Sequence, residues 1–198
     1  GNKVGFEYDK RGLLVKTNRS LGAIDLLQRD SMGDVVLATD PEGRTSATQY
    51  DARRRATRVT DGVGNATQNT YDLAGNLTEV KTPLGGTTTY TYDSANRLVS
   101  IAQSLATGPA QATRTYDTSG NLTAQADLNG NTTAYSYDAR NRRIQKTLPG
   151  GAQETNGYDG ADGLIAHTDA NGNSFTHTLD ERGRRTQSTV SSTPANSL

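Results

Sequence analysis

The sequence lacks cysteine and tryptophan altogether, and only two of its 198 residues are histidine. Without cysteine the chain forms neither disulfides nor thiolate metal sites, and its compartment stays open. Lysine plus arginine and aspartate plus glutamate each number 21. This zero net charge argues against nucleic acid or an anionic membrane as a partner. No apolar run approaches the length of a membrane span, and residues 1–5 do not resemble a signal peptide.

The chain is also poor in hydrophobic residues, at 32%, and its mean hydropathy is −0.73. Taken alone, these values favour disorder or a fold with a thin core. The placement of the nine tyrosines argues for order, because each one lies in a Tyr-Asp dipeptide or two residues before one, as Tyr90 and Tyr135 do. A disordered polar segment has no reason to keep that register.

The Tyr-Asp dipeptide recurs with a period of 21 residues, apart from one interval of 24 between Tyr92 and Tyr116. Aspartate stands in all nine registers, whereas Arg29 and Leu179 replace tyrosine in two of them. The predicted repeat anchors are Tyr8, Asp9, Asp30, Tyr50, Asp51, Tyr71, Asp72, Tyr92, Asp93, Tyr116, Asp117, Tyr137, Asp138, Tyr158, Asp159 and Asp180. A fixed period predicts one repeat array over residues 1–198, which we expect to be a window of a longer chain.

Each repeat has the pattern strand, turn, strand, turn. In the repeat that begins at Tyr71, Asp72 and Gly75 mark a first turn, and residues 76–81 form a short strand. A glycine-containing second turn follows at 82–86, and residues 87–92 alternate threonine and tyrosine as a second strand. The prediction is an all-β fold of tandem ~21-residue β-hairpins that form a curved, spiralling antiparallel sheet.

Three finer expectations follow from this pattern. The tyrosine rings should stack between successive repeats and pack one repeat on the next. Arg29 and Leu179 should be weak points, because the aromatic anchor is missing there. The 24-residue interval contains residues 104–111, which we interpret as one lengthened second turn.

The stretches Tyr71–Leu77 and Tyr116–Leu122 resemble the YD repeat, also called the Rhs repeat, and the resemblance covers nearly the whole chain. The family pattern is similar to Tyr-Asp-x-x-Gly-Asn/Arg-Leu, a β-rich stretch and a closing Tyr-x-Tyr-Asp. The resemblance implies a fragment of a hollow β-shell in which a ribbon of repeats spirals around a cavity. In bacterial polymorphic toxins, type VI secretion effectors and insecticidal toxin complexes, such a shell encloses a C-terminal toxin domain. Similar repeats in animal teneurins build a barrel with adhesion roles.

The same resemblance sets the expected partner and location. The partner would be a toxin or effector domain of the same parent protein, in a protein that a bacterial secretion system secretes or delivers; the cell surface is the alternative location. The family's aspartyl autoprotease region has an Asp-Pro-x-Gly form, which residues 40–43 share. Those residues occupy the ordinary second-turn register, so we interpret them as a turn.

The sequence predicts no catalytic residue, no cofactor and no metal site. His167 and His177 are best explained as substitutions at repeat positions, because a zinc site would need further ligands. The turns 127–131 and 169–173 resemble calcium loops but lack the remaining EF-hand ligands. The anchor aspartates recur in every repeat, which indicates turn capping rather than a carboxylate pair for glycoside hydrolysis.

Two basic clusters remain open to interpretation: Arg53, Arg54, Arg55 and Arg58; and Arg140, Arg142, Arg143 and Lys146. We interpret them as solvated strand faces that discourage edge pairing, and the alternative is a patch for an anionic partner. The predicted function is a non-catalytic wall that encapsulates a toxin. The alternative is an extracellular adhesion or carbohydrate-binding array, with a glycan as partner and with Asn129 and Asn171 as contact residues. A hydrolase hidden in the array is the third hypothesis.

Overall fold

The structure is a computed structural model that describes residues 3–19, 23–105 and 108–191. These residues form strands and turns without a helix. Within this described part no helix has the length and apolar character needed to cross a membrane. The chain divides into two compact units: Gly1–Asn96 with Gln103–Pro109, and Arg97–Ala102 with Ala110–Leu198.

The first unit contains nine complete strands, each paired antiparallel with the next in sequence order. They are β1 (Gly5–Tyr8), β2 (Leu14–Asn18), β3 (Ile24–Arg29), β4 (Val35–Thr39), β5 (Thr45–Tyr50), β6 (Ala56–Thr60), β7 (Ala66–Tyr71), β8 (Leu77–Lys81) and β9 (Thr87–Tyr92). Every odd-numbered strand ends at an anchor position, and the following strand begins six residues later. Each Tyr-Asp turn therefore closes a β-hairpin between two successive strands.

The second unit continues this pattern from the repeat after Tyr92. The strands that follow Tyr92 are β10 (Leu98–Leu105), β11 (Gly108–Tyr116), β12 (Leu122–Ala126), β13 (Thr132–Tyr137), β14 (Arg143–Thr147), β15 (Gln153–Tyr158), β16 (Leu164–Thr168), β17 (Ser174–Leu179) and β18 (Arg185–Ser191). The end of β10 and the start of β11, within Gln103–Pro109, are assigned to the first unit. Each strand from β11 to β18 pairs antiparallel with its successor. The all-β prediction of tandem antiparallel hairpins is confirmed.

The 24-residue interval differs from the prediction of a lengthened turn. Strand β10 extends through Leu105 with eight residues, and β11 starts at Gly108 with nine, whereas the next two strands, β12 and β13, have five and six. The extra residues therefore lengthen both strands of the hairpin, because added strand pairs gain ladder hydrogen bonds that a longer turn would not. Ala106 and Thr107, at the centre of the expected turn, lie outside the described residues.

Eight Tyr-Asp hairpins carry a β-bulge directly beside the anchor. Tyr71 faces Leu77 and Thr70 faces Glu79, so Thr78 has no partner in the ladder. The same shift occurs in eight hairpins, at Tyr8, Arg29, Tyr50, Tyr71, Tyr116, Tyr137, Tyr158 and Leu179. The bulged residue is always Val, Ile or Thr, and as Thr57, Thr78 or Thr186 its hydroxyl donates to the carbonyl before the anchor. A β-branched side chain suits this extended, partly covered position.

No side chain in the described part of the chain is fully buried, so the strands enclose no hydrophobic core. Side chains alternate between two faces along each strand. The tyrosine face carries the anchors and the residues two and four positions before them. The threonine face carries the residue before each anchor, which is exposed as Thr70, Thr91, Thr115 and Thr178. The hydrophobic side chains of the repeat are therefore only half covered, and they lie mainly on the tyrosine face.

Candidate functional site at the Tyr-Asp edge

The anchor aspartates close the first turn of every repeat by hydrogen bonds within that turn. At Asp72 the backbone N–H donates to the Asn76 carbonyl at 3.0 Å, and the Gly75 N–H donates to the Asp72 carbonyl at 3.2 Å. The carboxylate accepts the Asn76 N–H at 2.8 Å and its side-chain amide at 3.0 Å. All nine anchor aspartates, Asp9, Asp30, Asp51, Asp72, Asp93, Asp117, Asp138, Asp159 and Asp180, accept a backbone N–H of their own turn.

These hydrogen bonds favour the ionised carboxylate and lower its pKa. The side chain of Asn76 holds the pKa of Asp72 below its usual range, and the Asn76, Gly75 and Ala74 backbone N–H groups add to this. The pKa of Asp51 is lowered first by the Arg55 side chain and then by the Arg55 N–H. A negative charge is therefore part of the closed turn.

The residue four positions after the anchor adopts a left-handed backbone conformation, and several residue types occupy this position. Gly75 has φ 101°, and Asn96 and Asn141 adopt φ 59° and 61°. Arg54 and Asp162 adopt the same region at φ 62° and 68°, where the sequence signal of Gly or Asn is absent. The turn hydrogen bonds thus hold the backbone in a conformation that Arg and Asp seldom adopt on their own.

The anchor tyrosines connect one repeat to the one before it. The Tyr92 hydroxyl donates to the Leu77 carbonyl at 2.9 Å, and the Tyr137 hydroxyl donates to the Leu122 carbonyl at 2.9 Å. Equivalent bonds of 3.0–3.2 Å start from Tyr50, Tyr71, Tyr116 and Tyr158. Each accepting carbonyl belongs to the first residue of the preceding even-numbered strand. Tyr8 in β1 is 60% exposed and makes no such bond.

The two positions that lack tyrosine behave differently from each other. Arg29 Nε donates to the Leu14 carbonyl at 3.1 Å, which is the bond that tyrosine makes elsewhere, and its Nη1 donates to the Gly33 carbonyl at 2.9 Å. Leu179 has no donor, and its methyl group lies where a β-carbon at Gly163 would stand. Arginine therefore preserves the polar connection between repeats, whereas leucine replaces it with an apolar contact.

Arginines occupy the space between successive anchors. The guanidinium of Arg55 lies 4.5 Å from the ring centroid of Tyr71, and Arg97 and Arg142 lie 4.5 and 4.6 Å from Tyr116 and Tyr158. The predicted stacking of tyrosine on tyrosine is wrong for the described residues, where the ring pair found is His167 on Phe175. Anchors on alternate strands stand about 9.6 Å apart, which is too far for direct ring contact and leaves room for a guanidinium.

Five arginines of the two basic clusters lie at this edge rather than on solvated strand faces: Arg53, Arg54, Arg55, Arg140 and Arg142. Arg53 donates to the Leu73 carbonyl at 2.6 Å, and Arg54 makes a two-point ion pair with Asp34 at 2.6 and 2.8 Å. Arg140 and Arg142 both contact Asp162 of the next repeat. The signal in the sequence is an arginine within five residues of an anchor, but its partner lies about one repeat away and could not be read from local pattern. Arg58 and Arg143 lie on strands, as predicted.

The second turns that carry Asp close in the same way, and the side-chain hydrogen bonds of these carboxylates stay within their own turn. Asp127 accepts the backbone N–H groups of Asn129 and Asn131 at 2.8 and 3.0 Å and the Asn131 side-chain amide at 2.9 Å. Asp61 and Asp169 make equivalent bonds, and Asp40 does so in the Asp-Pro-x-Gly turn of residues 40–43. In the calcium-like turns the carboxylates thus already serve as turn caps. Across the described ranges, no group of three His, Asp or Glu residues is arranged to hold a metal ion.

The two histidines lie on the tyrosine face in a row of polar side chains. His167 Nδ1 is 2.9 Å from Asn156 Oδ1, and its ring stacks on Phe175 with centroids 5.8 Å apart. His177 Nδ1 is 2.9 Å from Ser188 Oγ, and desolvation, followed by the nearby Arg185, lowers the pKa of His177. These contacts place both histidines in cross-strand pairs that bridge neighbouring strands.

Comparison with known proteins identifies the repeat. A family model described as RHS Repeat matches residues 71–108, 116–153 and 158–194, which together are more than half of the chain. No protein of curated function matches the sequence.

Similar solved structures share low sequence identity with the chain. The Photorhabdus luminescens Tc holotoxin pore, in a form with a mutation in TccC3, matches 93% of this chain and 14% of that chain at 15% identity, with a TM-score of 0.45. TcdB2-TccC3 without its hypervariable C-terminal region matches 94% of this chain and 12% of that chain at 15% identity, with a TM-score of 0.49. The chain therefore spans only a small part of the length of the proteins that it matches.

Proposed function

The chain belongs to the RHS Repeat family, and from this premise we propose that it is a non-catalytic wall segment of a β-shell that encloses a toxin or effector domain of the same parent protein. The observation that carries the proposal is that the side-chain bonds between repeats in the described residues join neighbouring repeats, as from the Tyr92 hydroxyl to the Leu77 carbonyl. A sheet with no buried core among its described residues suits a partition between two spaces better than a compact globule.

The two faces of the sheet suit opposite sides of such a wall. The tyrosine face carries half-covered aromatic and aliphatic side chains, among them Tyr90, Tyr92 and Val80. The threonine face carries exposed hydroxyl groups such as that of Thr91. Apolar surface gains from removal from water, so we assign the tyrosine face to the enclosed domain and the threonine face to solvent.

The location follows from the same proposal. A wall that encloses a toxin belongs to a protein that is secreted or delivered by a bacterial secretion system. The segment needs no cofactor for this role, since enclosure depends on the continuity of the sheet rather than on a reaction.

The absence of cysteine makes the orientation directly testable. Thr88 and Thr91 lie on β9 but on opposite faces, so Thr88→Cys and Thr91→Cys form a matched pair. In a parent protein freed of other cysteines, a maleimide on a large polyethylene glycol should label Thr91→Cys quickly and leave Thr88→Cys protected until the shell is unfolded. Both variants of the 198-residue chain alone should react.

Equal labelling of the two variants in the folded parent protein would contradict enclosure by this segment. A second readout follows the enclosed domain, which should resist protease in the parent protein and become sensitive when the wall is opened. Glycan binding by the 198-residue chain that is lost in Asn129→Ala and Asn171→Ala would instead favour the adhesion function.

A further inference from the structure

A recess of about 310 Å³ lies in the second unit, where β10 to β13 meet the second-turn edge. Its walls include the apolar side chains of Ile101, Ala112 and Pro149. The polar groups of Arg114, Gln125 and Thr133 also line it. The remaining polar lining comes from Ser100, Thr113, Asp127 and Asn131. Small-ligand sites likewise combine apolar walls with polar groups that orient the ligand.

Arg114, Gln125 and Thr133 stand in one row across three strands. Arg114 on β11 is the cross-strand partner of Gln125 on β12, and Gln125 is the partner of Thr133 on β13. Directly opposed residues of antiparallel strands project from the same face. The side chain of Gln125 is oriented by a hydrogen bond from its Nε2 to the Tyr135 hydroxyl, at 3.1 Å. The recess therefore presents a row of hydrogen-bonding groups on one face of the sheet.

Arg114 differs from Arg55 and Arg142 of the Tyr-Asp edge in having no acidic partner among the described residues. Arg55 and Arg142 each pair with the anchor aspartate of their own turn at 2.6 Å. Arg114 is half-buried, and within the described part of the chain no carboxylate lies at ion-pair distance from it. A partly desolvated guanidinium without a counter-charge is unfavourable until an anion pairs with it.

The one carboxylate in the recess does not supply that counter-charge. Asp127 accepts hydrogen bonds from Asn129 and Asn131 in its own turn, and the side chain of Asn131 lowers the pKa of Asp127 before any other group does. Its charge is thus directed into the turn and leaves Arg114 free to bind a ligand.

We propose that this recess binds a carboxylate carried on a short aliphatic chain. The planar guanidinium of Arg114 pairs with the two carboxylate oxygens, and Gln125 and Thr133 add hydrogen bonds. The aliphatic part contacts Ile101, Ala112 and Pro149, which disfavours a bare inorganic anion. The carboxylate belongs either to a free organic acid or to an acidic side chain of a polypeptide. The inference stands on the recess alone and is independent of the wall proposal.

The test titrates the 198-residue chain with glutarate and follows the arginine Nε–Hε signals by NMR. Glutarate should shift the Arg114 signal, and the neutral glutaramide should leave it in place. Arg114→Gln should weaken glutarate binding about tenfold or more, because the pair with a charged donor is lost. Arg58→Gln is the matched control, since Arg58 is an exposed arginine on a strand of the first unit, and its affinity for glutarate should equal that of the wild type.

Two further ligands test where the carboxylate comes from and whether the recess prefers it to an inorganic anion. A capped Gly-Glu-Gly peptide that binds more tightly than glutarate assigns the recess to a polypeptide side chain, and the reverse order assigns it to a free acid. Equal shifts by inorganic phosphate and glutarate would overturn the proposal, as would shifts by glutaramide or unchanged affinity in Arg114→Gln. Should Arg114→Gln fail to fold, the wild-type comparison of glutarate with glutaramide decides the question by itself.

Discussion

The two edges of the sheet use the same turn chemistry but differ in what they connect. At the Tyr-Asp edge, side chains reach into the neighbouring repeat, as Tyr92 does to Leu77 and Arg55 to the Asp72 carbonyl. At the second-turn edge, the side-chain bonds of Asp40, Asp61, Asp127 and Asp169 stay within their own turns. One edge therefore joins repeats to one another, whereas the other only closes hairpins.

This difference explains where the repeat tolerates change. The longer hairpin of the 24-residue interval extends on the second-turn side, and the spacing from Tyr92 to Leu98 is the same as in other repeats. An extension at that end removes no hydrogen bond between repeats, whereas one beside an anchor would displace the tyrosine from its carbonyl. The predictions below test whether stability is concentrated at the Tyr-Asp edge.

Acid should produce the largest effect, because it acts on both edges together. The turns lower the pKa of Asp9, Asp40, Asp51, Asp61, Asp72, Asp117, Asp127, Asp138, Asp169 and Asp180. A carboxyl with a depressed folded pKa stabilises the fold above its unfolded pKa of about 3.9 and loses that contribution as the pH falls further. The urea midpoint, followed by circular dichroism, should therefore drop steeply between about pH 5 and pH 2.

High salt separates hydrogen bonding from charge attraction in that titration. The side chain of the neutral Asn76 is the largest cause of the lowered pKa of Asp72, so the loss of stability in acid should persist in high salt. A urea midpoint that stays constant down to about pH 2 would contradict the role of the carboxylates in both edges.

Tyr92→Ala should cost about 2 kcal/mol of unfolding free energy, because it removes a half-buried ring and its bond to the Leu77 carbonyl. Leu84→Ala, at the tip of a second turn where Leu84 is 98% exposed, should cost less than about 0.5 kcal/mol. Tyr92→Phe isolates the hydroxyl and should cost about 1 kcal/mol. Equal losses for Tyr92→Ala and Leu84→Ala in urea unfolding would remove the distinction between the edges.

Arg55→Ala should cost about 1 kcal/mol, because the guanidinium stacks on Tyr71 and bonds to the next repeat. Arg44→Ala is the counterpart at the other edge, since the ion pairs of Arg44 in the described residues are with Asp40 and Glu42 of its own turn. Its loss should be measurably smaller in the same urea series. A larger loss for Arg44→Ala would reverse the assignment of the two edges.

Arg29→Tyr should have the smallest effect, within about 0.5 kcal/mol, because Arg29 already makes the bond to the Leu14 carbonyl. Arg29→Ala should cost about 1 kcal/mol through loss of that bond. An increase in unfolding free energy well above about 0.5 kcal/mol for Arg29→Tyr would show that the position is a weak point, as the sequence alone suggests. The comparison is made by urea unfolding of the three proteins.

The fold was predictable because the 21-residue period of the anchors marks where the strands end. Each anchor closes an odd-numbered strand, and most turns carry Asp with Gly or Asn, so the period separates strands from turns. The second turns at 61–65 and 127–131 share their closure with the first turns, and this was visible as a repeated Asp-x-x-Gly-Asn pattern.

The contacts between repeats were less predictable. Arg55 meets Tyr71, and Arg54 meets Asp34, across about one repeat of sequence. Long flexible side chains reach partners that depend on strand register and on the β-bulge beside each anchor, which periodicity does not reveal. Arg114 was missed for a related reason, since the lack of an acidic partner can be seen only once its neighbours are placed. The anchoring role of the Tyr-Asp pairs stays a prediction until the variants above are measured.

The location of the tyrosine and arginine bonds between repeats at the Tyr-Asp edge has a mechanical consequence. Tension on an edge strand of either unit would break the ladder and the tyrosine bond of one hairpin before it reaches the next. The force needed for unfolding would then rise and fall once per repeat. The unfolding of each repeat would release 21 residues, about 70 Å of extended chain. Such a segment yields in regular steps under load, with the height of each step set by whether Tyr, Arg29 or Leu179 joins that repeat to its neighbour.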